Sequence, residues 1–187
     1  MNRSDHHFSN AELRRALYVS QGLLLLLSVV FILMFPASFL PTKWYVFGWM
    51  DLMIGVCFGM VMVVLQAMIE HILPRAWFDD KGIDEQLFHA FPLPVLALIM
   101  VAVSLIEETL FRGILQHLLG YAAASLIFAF VHVRYVTKPA LLAITLALSF
   151  GLGFLFIQTN SLTAPIIAHF TMDTLALVIN DVKRGRP

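Results

Sequence analysis

Val103-Ser-Leu-Ile-Glu-Glu-Thr-Leu-Phe-Arg112 places two adjacent carboxylates and a guanidinium inside a run that is otherwise apolar. The whole chain has the same bias: of 187 residues, 60% are hydrophobic and 13% charged, and mean hydropathy is +0.85. A soluble domain is roughly half apolar and one quarter charged, so this composition belongs to an integral membrane protein. At bilayer depth a charged side chain costs at least about 2.5–3.5 kcal/mol on insertion scales, so Glu107, Glu108 and Arg112 need partners and a purpose.

Composition also excludes several function classes. Formal net charge is zero, and no basic stripe with interleaved aromatics points to nucleic acid. Cys57 is the only cysteine, which removes a disulfide frame and a cysteine metal site; in its apolar run it reads as an inert thiol. The nine methionines read as gap-filling or lipid-facing residues, and His6-His7 as a solvated pair in a polar tail.

Outward from the Glu-Glu pair, the expected fold class is all-α: a polytopic membrane helix bundle of about six transmembrane helices. Residues 16–40 run apolar up to Pro36 and Pro41. That is enough to cross a core of about 30 Å and longer than a cleavable signal sequence. Trp44 and Trp49 supply an interfacial belt, and a second span covers 45–69, with Asp51 as an interfacial carboxylate. Residues 70–89 turn polar and form an interfacial helix or a plain loop. The third span is 91–119, with Gln116 and His117 at its interface. Gly120 breaks it, and a fourth span runs on to His132. Arg134, Lys138 and Pro139 make a short basic turn, and spans at 141–157 and 165–180 flank the Thr159-Asn160-Ser161 turn. The domain expectation is a cytoplasmic tail at 1–15, one transmembrane domain at 16–180 with its catalytic core at about 91–180, and a basic cytoplasmic tail at 181–187.

Glu107 and His132 are 25 residues apart, about 37 Å along one straight helix. A reversal at Gly120 changes that, with Glu107 thirteen residues before the turn and His132 twelve after it. His169 and Asp173 follow Asn160 by nine and thirteen residues on a helix entering from the same face. All four then lie roughly 13–20 Å below the outer turns. Glu108 and Arg112, four apart on one helix face, read as a self-neutralising ion pair, which leaves Glu107 without an intrahelical cation. Phe128 shares a face with His132. Ala122, Ala123, Ala124, Ser125 and Ala129, with Gly151 and Gly153 on the next span, permit close helix packing.

Three motifs occur in order: Glu107-Glu108-x-x-x-Arg112, Phe128-x-x-x-His132 and His169-x-x-x-Asp173. Together they resemble the CAAX-protease and bacteriocin-processing family of intramembrane glutamate-dependent endopeptidases (the Abi group), over about residues 104–173. The resemblance implies a peptide hydrolase with no metal and no cofactor. Glu107 would deprotonate a water with His132 as its second anchor, and His169, with Asp173, would serve the oxyanion. Many family members carry Asn where Asp173 stands. An ionised Asp only accepts hydrogen bonds, so here it would orient His169 or stay protonated. Glu108, Arg112 and Phe128 would support the site.

The expected partners are a peptide or protein substrate (a prenylated tail or a leader peptide) and the lipid bilayer, in a bacterial plasma membrane. Competing readings are a zinc-dependent intramembrane protease using the same four donors, a non-catalytic immunity or scaffold protein, and, less favoured for want of repeated halves, a proton-coupled transporter. Lys and Arg placement puts both termini in the cytoplasm, since Lys43 is the one cation in the outer connections. A reporter fused after Pro187 is expected to be active inside the cell; activity confined to the exterior would overturn that orientation.

Overall fold

The computed structural model describes residues 9–35, 44, 47–78, 83, 86 and 90–183. His6-His7, Pro36, Pro41, Lys43, most of the 79–89 segment, Arg184 and Arg186 lie outside the described residues. Ser9 and Glu12 start the first helix. The Ser9 hydroxyl accepts from the Glu12 N–H, and the Glu12 carboxylate accepts from the Ser9 N–H, so two donors otherwise orphaned at a helix start are satisfied. Helix α1 is therefore Asn10–Met34 and starts well before the apolar run at residue 16.

Among the described residues five more α-helices follow: α2 (Trp49–Ile72), α3 (Leu93–Leu119), α4 (Tyr121–Val131), α5 (Pro139–Thr159) and α6 (Thr163–Lys183). Every regular element among the described residues is helical, and the architecture is a polytopic helix bundle. Prolines stand in the first turns of α3 and α5, where a missing N–H costs no helical bond. Gly120, at φ 86°, reverses the chain between α3 and α4, and Asn160 caps α5 at φ 49°, a left-handed conformation that Asn tolerates.

Helices α1, α2, α3 and α5 are long and apolar enough to cross a membrane. α4 has only 11 residues, about 16 Å at 1.5 Å per residue, or half a hydrocarbon core. The segment expected to be a fourth crossing is thus a half-length helix. Trp44, expected in an interfacial belt, is instead buried: its carbonyl accepts from Leu162 N at 2.8 Å and its ring meets Phe156 edge-on. Trp49 is 75% exposed and fits that belt.

Two glycines decide how α2 meets α6. A Cβ on Gly55 would lie 2.7 Å from the Ala164 carbonyl oxygen, and one on Gly59 2.7 Å from that of Ala168. The numbers rise together, so the two helices run parallel, with a Gly-x-x-x-Gly face against Ala164 and Ala168. α4 and α5 run antiparallel: Tyr121 Oη donates to Phe150 O at 2.7 Å, and Ser149 Oγ to Ser125 O at 2.9 Å. Ala124, Ser125 and Ala129 are buried in that contact, and Gly153 makes room for Gln116 and Tyr121.

Gly59→Val is expected to lower the detergent melting temperature by the equivalent of about 1–3 kcal/mol. Gly22→Ala, where a Cβ meets nothing within 4 Å, should leave it unchanged. Equal melting of Gly59→Val and wild type would contradict the close α2–α6 contact.

Candidate active site

Consecutive residues of a helix point about 100° apart, so the two carboxylates of α3 face different neighbours. Glu108 is completely buried. Its Oε2 accepts from Arg112 Nε at 3.0 Å and its Oε1 from His169 Nδ1 at 2.8 Å. Arg112, also fully buried, places Nη1 and Nη2 3.3 and 3.2 Å from Ser149 Oγ and lays its guanidinium 4.8 Å from the centre of the Phe128 ring. The pair expected to neutralise itself therefore has a third member, His169.

Just after Glu108, α3 widens into a π-helical stretch, Thr109–Leu115. Such stretches recur at functional sites, where they re-aim side chains. Gln116, expected at the interface, is buried beyond it and donates to Gly153 O at 3.0 Å, whereas His117 is exposed.

Glu107 turns toward α1, where Gln21 Nε2 donates to its Oε1 at 2.8 Å. It is buried (6% exposed), lies within electrostatic reach of His169, and among the described residues makes no ion pair. Gln21 belongs to no motif. Its only signal in the sequence is a lone amide within an apolar run.

His169 is held at both ends, with Nε2 3.4 Å from Asp173 Oδ2 one turn along α6. His132 stands where α4 ends. Its Nδ1 lies 2.8 Å from Phe128 O; a carbonyl only accepts, so Nδ1 carries the proton and Nε2 is left as an acceptor in the neutral ring. Its ring stacks on Tyr135 at 5.8 Å. Phe128 separates the two imidazoles, 4.9 Å from His132 and 5.9 Å from His169 between ring centres. The structure thus joins Glu108, Arg112, Phe128, His169 and Asp173 directly. Glu107 borders them on the α1 side and His132 through the Phe128 ring, and no hydrogen bond links these last two among the described residues. Nor do three or more His, Cys, Asp or Glu side chains there form a metal-holding group.

This layer coincides with a sequence match. Residues 89–175 fit the family described as type II CAAX prenyl endopeptidase Rce1-like. That match covers a little under half of the chain. The chain is also similar to the uncharacterized protein YpbD of Bacillus subtilis (strain 168), with 34% identity over 121 residues that cover 65% of this chain and 64% of that protein. The chain thus spans a little under two thirds of that relative's length. No solved structure matches it. Gln21 lies outside the Rce1-like segment.

Removing one member of a buried ion pair leaves its partner uncompensated, at a cost of about 3–5 kcal/mol. Arg112→Met is expected to lower the melting temperature sharply, and Glu108→Gln combined with Arg112→Met to recover part of the loss. A double variant no more stable than Arg112→Met would contradict the mutual neutralisation.

Proposed function

We propose that the protein is a membrane-embedded endopeptidase in which Glu107 activates water. One observation carries this reading: Glu108, Arg112 and His169 satisfy one another in the buried layer, while the adjacent Glu107 stays out of their ion pairs and, among the described residues, is hydrogen-bonded by Gln21 alone. Glu108 and Arg112 read as the scaffold that holds His169, and Glu107 as a base within the Rce1-like segment.

Glu107 takes a proton from water, and the resulting hydroxide attacks the scissile carbonyl carbon as the C=O electron pair moves to oxygen. His132 Nε2 accepts the water's second hydrogen, which fits the tautomer set by the Phe128 carbonyl. His169 Nε2–H donates to the oxyanion, turning from its loose 3.4 Å contact with Asp173 to a stronger acceptor. Glu107 then returns its proton to the leaving nitrogen, the C–N bond breaks, and a carboxylic acid and an amine are formed, which pass one proton between them to leave as carboxylate and ammonium. Asp173 only accepts, so its role is to aim His169. The substrate class that fits the family is a prenylated C-terminal tail, with a leader peptide as the alternative. The setting is a bacterial plasma membrane with both termini cytoplasmic.

Glu107→Gln is expected to abolish cleavage of a prenylated CAAX peptide at normal abundance, since a general base supplies about 10²–10⁴-fold. Asp173→Asn should retain much of the activity, and wild type should work in strong chelator. Equal biological activity in wild type and Glu107→Gln would favour a scaffold, and inactivation by chelator a zinc enzyme.

A further inference from the structure

Gln21 brings an amide into the layer from α1, a helix whose other faces are largely exposed and apolar. An amide out of water is costly unless hydrogen-bonded. Half of this one is accounted for by the 2.8 Å bond from Nε2 to Glu107 Oε1. That bond also fixes the amide's orientation, because the flipped form would set a carbonyl oxygen against a carboxylate, two acceptors with no proton between them. The other half is not: Gln21 Oε1 is buried and has no hydrogen-bond partner. Buried acceptors without partners are rare and destabilising. This one shares a planar group with the nitrogen on Glu107, so it borders the same carboxylate.

We infer that Gln21 belongs to the hydrolytic machinery, orienting Glu107 through Nε2 and accepting at Oε1 a hydrogen bond from a second water beside the one that Glu107 deprotonates. The inference rests on the endopeptidase reading above and assigns a role to a residue outside the Rce1-like segment. Water gives the orphaned oxygen the donor that the protein does not. The amide then does two things at once: it limits the rotamers of the base and holds a second water next to the nucleophile. Neither requires the peptide, so loss of Gln21 should appear in turnover rather than in substrate binding.

The test uses the full chain in lipid nanodiscs with a fluorogenic prenylated CAAX peptide, comparing wild type with Gln21→Met, Gln21→Glu and Gln21→Asn. Met and Glu match the length of Gln but lack the amide donor, and either can serve if the other fails to accumulate. Both are expected to lower kcat by about tenfold to a hundredfold with KM within about twofold. Asn, which keeps the amide, should recover part of the loss. A kcat within about twofold of wild type in Met and Glu, or a fall no larger than the loss of folded protein, would overturn the role of Gln21 and leave the endopeptidase standing. A wild-type protein that cleaves neither this peptide nor a leader peptide would overturn both.

Discussion

A carboxylate sealed inside an apolar bundle is tolerable only when its charge is answered on the spot, and Glu108 is answered twice, by Arg112 and by His169. The two replies come from different helices. Arg112 in turn reaches Ser149 on α5 and the Phe128 ring on α4, and Ser149 donates to the α4 backbone. One anion thus ties α3, α4, α5 and α6 in a single layer. A substitution there acts on the position of every group in it, including Glu107 one residue away.

The helices around this layer are shaped to serve it. The π-helical stretch begins directly after Glu108 and carries Arg112, and α4 stops at His132 after 11 residues. A full-length α4 would bond the His132 region into a continuous helix and carry the chain away from the site. Ending there leaves the ring on the rim, supported by Phe128 and Tyr135. α1 is different in kind, since it has few buried residues and meets the layer through Gln21.

Much of this was legible in the amino-acid order because charge is conspicuous in an apolar chain. Glu107, Glu108, Arg112, His132, His169 and Asp173 stand out in runs of Leu, Ile, Val and Phe, and the turns at Gly120 and Asn160 bring their helices together. What the order does not display is rotation about a helix axis. The four-residue spacing pairs Glu108 with Arg112, but it does not show that 100° of rotation gives Glu108 to His169 and Glu107 to α1. Gln21 has no partner at helical spacing, so it reads as a tolerated polar residue. Apolar composition carries no information about length in space, which is why Tyr121–Val131 looked like a crossing. The Gly55–Gly59 face was not read from the sequence at all, because its use depends on the close approach of Ala164 and Ala168 on α6.

The central claim is that Glu107, not Glu108, faces the scissile bond. It is tested most directly by a structure of the Glu107→Gln variant in lipid with an uncleaved prenylated peptide bound. The account predicts a peptide carbonyl carbon one water away from the residue 107 carboxamide, its oxygen toward His169, and Glu108 still held by Arg112. A peptide seated elsewhere, or one whose carbonyl approaches Glu108 with the Arg112 contact broken, would contradict it.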